Sequence, residues 1–166
     1  AHAIAVNSTV KLAPWASMLY AADPEWWAHP SNADAREFRG TRVSCSVVDA
    51  CQVHMLRNTG QDGYDSDPQC IRTGLNSGYQ AIHIAMHARA AKIILCGFDM
   101  AGGHWHGDHP QGLRNVPLEH YARYAKKFDG LIKPAADLGI DIVNCTPGSA
   151  VTAFRMSTLE AELCAR

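Results

Sequence analysis

The stretch between Gly74 and Met100, GLNSGYQAIHIAMHARAAKIILCGFDM, constrains the fold more than any other part of the chain. It reads as loop, helix, strand and loop. Gly74 and Gly78 bracket Leu75, Asn76 and Ser77. Ala81, Ile82, Ala85 and Ala88 then recur at the spacing of an apolar helix face. Lys92 to Cys96 is a short apolar run of the kind that a parallel sheet buries on both faces. It ends at Gly97, and Asp99 stands just past its carboxyl end.

A helix entered through Asn76-Ser77-Gly78 exposes unpaired N–H groups and about half a positive charge at its first turn, where an anion can sit. Ser77 is the expected N-cap. Open parallel sheets hold ligands beyond the carboxyl ends of their strands, which gives Gly97 and Asp99 a second reading as ligand-facing residues.

Elsewhere the chain alternates strands with helices. Ala3 to Asn7 and Met18 to Ala21 read as strands, the second closed by Asp23-Pro24. Glu25-Trp26-Trp27 opens a short helix whose adjacent indoles cannot share one face, so one is expected in the core and the other along a cleft. His29 to Gly40 is a surface loop or irregular helix, and Thr41 to Val48 a strand. Asn58 to Pro68, rich in Asp and Gly, reads as a long mobile loop without the oxygen-ligand spacing of an EF-hand. Pro117 to Leu131 is an amphipathic helix with Leu118, Tyr121, Tyr124, Ala125 and Phe128 inward and Arg123, Lys126 and Lys127 outward, broken at Lys133-Pro134. After a short helix capped by Gly139, Ile140 to Asn144 forms the last strand. A C-terminal helix then carries Val151, Phe154, Met156, Leu159 and Leu163. This alternation predicts an α/β fold of the Rossmann-like class, a mostly parallel sheet with helices on both faces.

The order Asn76-Ser77-Gly78, small-residue helix, apolar strand, Gly97-Phe98-Asp99 and finally Val143 to Ser149 (VNCTPGS) resembles the bacterial sialyltransferase-like fold. That superfamily includes CMP-sialic-acid-using transferases and the related motility-associated transferases and pterin diphosphokinases. The resemblance implies one Rossmann-like domain over residues 1–166, in which the family's N-terminal strand and Gly-rich loop have no match. It implies glycosyl transfer from a sugar nucleotide such as a CMP-sugar, with no metal required. Ser77, Gly78 and the helix start would meet phosphate, Asn7 and Asp23 would help with ribose or base, and Asp99 would organise the cleft. In those families a catalytic histidine follows the triplet, and His104, His106 and His109 fall in that interval. A neutral imidazole suits the task, since an acceptor hydroxyl must lose a proton as it attacks. The sequence leaves open which of the three acts.

His104-x-His106-x-Asp108-His109 also looks like the zinc motif of the metallo-β-lactamase superfamily. Against that reading, His120 is the only later histidine, and the 57 residues after His109 read mostly as helix. Two more functions fit the same residues. One is an ATP- and magnesium-dependent diphosphokinase drawing on Asp62 to Asp67, and the second is a non-catalytic binding protein that has kept the fold. His83 and His87, four apart on the central helix, have a spacing that can bind metal.

A formal charge of −1 leaves no basic footprint for duplex nucleic acid. No window approaches the roughly twenty apolar residues of a membrane span. Six cysteines without a Cys-x-x-Cys pair suit a reducing cytoplasm. A small nucleotide or sugar nucleotide is the expected partner.

Overall fold

The computed structural model describes residues 2–101 and 107–164. It is α/β, and every strand pairing among the described residues is parallel. Strands β1 (Ile4–Val6), β2 (Met18–Tyr20), β3 (Thr41–Ser44) and β4 (His54–Met55) form one sheet in that order. A second ladder joins β5 (Arg57–Asn58) to β6 (Cys70–Ile71), and a third runs β7 (Lys92–Leu95), β8 (Asp141–Asn144), β9 (Arg155–Met156). β4 and β5 are one run of chain bent at Leu56, whose N–H still reaches Ser44 O at 2.9 Å, while Arg57 N–H turns to Gln69 O at 2.8 Å. The helices are α1 (Pro24–Ala28), α2 (Ala33–Arg36), α3 (Ser77–His87), α4 (Tyr121–Lys127), α5 (Ile132–Asp137) and α6 (Leu159–Cys164). Among the described residues no helix is long and apolar enough to cross a membrane.

Adjacent residues of β2 show how the layers form. Leu19 and Tyr20 are both fully buried, yet they enter different clusters. Leu19 joins Trp26, Trp27, Ala35 and Phe38 around α1 and α2. Tyr20 joins Val43, Leu56, Ile71 and the Ile84 side chain of α3. Successive strand side chains point to opposite faces, so this sheet is covered by helices on both. A further face of α3, with Tyr79, Ile82 and Met86, packs on Ile93 and Leu95 of β7, Ile142 of β8 and Phe128. α3 is therefore the shared wall of two clusters, and its residues Tyr79 to Ile84 are all buried.

Several expectations change. Ser77 is not the N-cap: Asn76 is extended and its Oδ1 accepts the Tyr79 N–H at 2.8 Å, which leaves Ser77 as the first helical residue. Ala88 is exposed, because the helix ends at His87. Both indoles of α1 are core, Trp26 and Trp27 meeting edge to face at 5.2 Å, so neither lines a cleft. β7 is covered on one face only, with Lys92 exposed and paired to Glu162 of α6 at 2.8 Å. Leu118 is 67% exposed in a 3-10 turn ahead of α4. Pro134 lies inside α5 rather than before it, in the first turn, where a backbone N–H has no intrahelical partner to lose. The expected C-terminal helix is in fact an irregular turn, the strand β9 and the short α6. Val151 and Phe154 are buried, whereas Met156 and Leu163 are exposed.

The Asp-rich loop expected to be mobile is tied to α3 through histidine. His83, fully buried, accepts the Arg72 N–H on Nδ1 at 3.3 Å and lies 3.1 Å from Asp65 O through Nε2. His87 Nδ1 meets the Tyr64 hydroxyl at 3.0 Å and its Nε2 meets Cys70 O at 2.9 Å. Tyr64 stacks on both rings. The four-residue spacing that could have held a metal instead fastens a loop.

Burial pushes the His83 imidazole down to about 4 from its ordinary 6.5, so the folded chain keeps it neutral while the unfolded chain takes up a proton. Its contribution is present above pH 6.5 and is lost as pH falls toward 4. Urea denaturation across this range is expected to show stability falling by roughly 2–3 kcal/mol from this group. In His83→Gln the curve should be flatter over the same window, and an unchanged slope would refute the assignment.

Candidate functional site

Most of the expected ligand residues follow the carboxyl end of a strand. Asn7 follows β1 directly, Asp23 follows β2, and Gly97 to Asp99 follow β7. The first turn of α3 lies against the last of these: a Cβ on Gly78 would stand 2.8 Å from the Phe98 ring, a contact that only a residue without a side chain permits. Gly78 therefore borders Phe98 directly. Asp99 and Gly97 are exposed, and Ser77 and Gly78 are half-buried.

The triplet is held by the turn after β8, through residues to which the sequence assigned no positioning role. Phe98 N–H donates to Thr146 Oγ1 at 2.9 Å, and Ser149 Oγ donates to Phe98 O. Ala150 N–H donates to Asp99 O at 2.7 Å. Behind them Asn144, fully buried, donates from Nδ2 to Ser149 Oγ at 2.8 Å and accepts the Thr146 N–H on Oδ1 at 3.0 Å. The dense run of hydrogen-bonding side chains in Asn144-x-Thr146-Pro147-Gly148-Ser149 was the available signal. The network uses the Asp99 main chain, and the residue is exposed.

Among the described residues, three of the four non-glycine residues with left-handed backbone lie in or beside these segments, the fourth being Arg89 after α3. Asn7, Leu75 and Met100 all have left-handed backbone, with φ of 49°, 63° and 50°. Non-glycine residues avoid that region unless the surroundings impose it, and strain of this kind clusters where ligands are held. Leu75 is imposed from one side by Gly74, itself at φ 53°, where a Cβ would collide with the Tyr79 ring. Among the described residues the side chains of Asn7, Ser77 and Asp99 form no hydrogen bond, Asp99 being exposed and Asn7 and Ser77 half-buried.

Asp23 stands at the N-cap position of α1 without bonding its backbone. Its carboxyl is pushed up by desolvation first and by Glu25, with Arg114 pulling the other way. Arg114 belongs to the segment 107–115, which crosses toward β1 and β2. Leu113 packs against the cluster around Leu19, Trp26 and Trp27, and Gln111 O lies 3.2 Å from His29 Nε2. His109 lies on this segment, its N–H donating to Asn115 Oδ1 at 2.7 Å, with Asp108 exposed next to it. His104 and His106 lie outside the described residues. On the side of α4, Tyr121 is raised by its burial and by the nearby Asp99 and Tyr124.

Among the described residues no group of three or more His, Cys, Asp or Glu side chains is arranged to hold a metal ion. Two grooves open elsewhere, one between α4 and Asp62 of the Asp-rich loop and one lined by Ser46 to Val48, Cys51 to Val53 and Met55, and Asn7, Asp23, Asn76, Ser77, Gly78, Gly97 and Asp99 line neither.

Because Ser149 serves three partners at once, Ser149→Ala is expected to cost about 1–3 kcal/mol, the penalty for leaving buried groups unpaired. Chemical denaturation measures this directly, and a loss below about 0.5 kcal/mol would mean that the turn does not depend on the hydroxyl. No protein-family model matches the chain, and neither does any curated protein or solved structure.

Proposed function

We propose that the chain is a Rossmann-like nucleotide- or sugar-nucleotide-binding domain and acts as a glycosyltransferase of the sialyltransferase-like kind. The observation that carries this reading is the contact of Phe98 with Gly78, which sets the exposed Asp99 tip against the start of α3. Donor phosphate lies at the N–H groups of Ser77 and Gly78, favoured by the helix dipole, while Asn7 and Asp23 take ribose or base from the neighbouring strand ends. Asp99 borders the reacting sugar.

Glycosyl transfer breaks the bond between the anomeric carbon and the nucleotide phosphate, and negative charge grows on the departing phosphate oxygen. Unpaired helix N–H groups stabilise that charge without reorganising. The acceptor hydroxyl loses its proton to a histidine of the 104–109 segment as it attacks. His109 is carried on the segment that crosses toward Asp23, which favours a base delivered from that side.

Thermal unfolding in the presence of CMP, a CMP-sugar, ATP and zinc separates transferase, diphosphokinase and hydrolase, since only a ligand that binds the native state raises the midpoint. CMP and CMP-sugar are expected to stabilise the wild type. Gly78→Val, which forces Phe98 away and covers the helix start, is expected to abolish that shift. Stabilisation by zinc alone, or no response to any nucleotide, would overturn the proposal.

A further inference from the structure

An open groove of about 440 Å³ runs between α4 and the loop at Asp62, lined by Asp62, Ala122, Arg123, Lys126, Lys127 and Gly130. Its three cations face one carboxylate, and that carboxylate is taken by Lys127 in an ion pair. Three positive charges less one negative charge leave +2, in a chain whose formal charge is −1. Among the described residues Arg123 and Lys126 make neither a hydrogen bond nor an ion pair, so their charge is uncompensated.

The walls are fixed before any ligand arrives. The Tyr79 hydroxyl of α3 donates to Gly63 O at 2.7 Å, and a Cβ on Gly130 would stand 3.3 Å from Gly63 N. The loop at Gly63 is thereby held against Gly130 beside the groove, and Ala122 and Gly130 contribute little or no side chain to its lining. Positions 123, 126 and 127 are three and four apart on one helix face, which aims all three cations at the same space. Asp62 is 73% exposed, so an incoming anion can replace its carboxylate beside Lys127 at little cost.

We propose that this groove binds a phosphate dianion, either free or as the ester of a small molecule. A phosphate monoester carries about −1.5 to −2 at neutral pH, which matches the uncompensated charge. Arg123 supplies a planar fork for two oxygens and Lys126 a point charge for the third. The volume falls in the range of small-molecule sites, roughly 300–1,000 Å³, and exceeds what a bare phosphate fills. Neither Gly78 nor Asp99 lines the groove, so a substitution at Gly78 tests the two sites separately.

Calorimetric titration of the full chain with inorganic phosphate and with glucose 1-phosphate tests this, at two salt concentrations. Binding is expected to weaken as salt rises. The double variant Arg123→Glu/Lys126→Glu is expected to lose affinity by at least about tenfold while keeping its thermal midpoint, since both side chains are solvent-exposed. Gly78→Val should bind as the wild type does. Tighter binding of the ester identifies a phosphorylated small molecule as the occupant, and equal binding identifies free phosphate. Absence of binding at roughly 10 mM of either probe, or binding that survives charge reversal and is lost in Gly78→Val, overturns the proposal.

Discussion

A helix buried on nearly every side must have its polar groups answered by the chain around it, and α3 imposes that requirement on everything nearby. Gln80 is buried, and it accepts the Tyr20 hydroxyl at 2.7 Å and donates to Thr73 O at 3.0 Å. His83 is buried and answers the backbone of Asp65 and Arg72. An unpaired buried polar group costs about 1–3 kcal/mol, so these bonds matter more for what their loss would cost than for what each adds. In satisfying them, β2 is joined to α3 through Tyr20 and the loop between β5 and β6 is pinned down.

The same helix places the candidate site. Its first turn is capped by Asn76 and held open by Gly74, whose backbone makes room for the Tyr79 ring. Across from it, the Asn144 to Ser149 turn clamps the main chain of Phe98 and Asp99 without using the Asp99 side chain. Phe98 and Asp99 are thus fixed through their main chain, beside the capped start of the helix. Left-handed Asn7, Leu75 and Met100 are what the chain tolerates to keep that arrangement.

Much of this was legible in the residues because it depends on short-range chemistry. The Lys92 strand, the central helix, the Gly139 stop and the alternation of elements all follow from local periodicity and from glycine's access to positive φ, which at Gly139 is 68°. Where local chemistry offered two answers, the reading failed. Asn76 and Ser77 are both good caps, and the choice fell to the one whose backbone is extended. The periodicity of Val151, Phe154, Leu159 and Leu163 also fits a helix, yet pairing of β9 with β8 and the Arg155 bonds to Asp141 and Glu162 took the segment elsewhere. β6 has only two residues, too few to carry a period, and is visible only because β5 lies beside it.

The amino-acid sequence by itself determined the α/β alternation, the Gly78 opening of the helix and the polar turn after the last long strand, since each rests on a few neighbouring residues. Tertiary structure decided which polar groups are spoken for. His83 and His87 look like ligands by spacing and become loop anchors because their nitrogens meet the backbone of Asp65, Arg72 and Cys70 and the Tyr64 hydroxyl. Arg123 and Lys126 look like an ordinary solvated face and become a charged groove because the Asp62 loop is held opposite them. Whether a charge or an imidazole is spent on the fold depends on what stands across from it, and that is a property of space rather than of order along the chain.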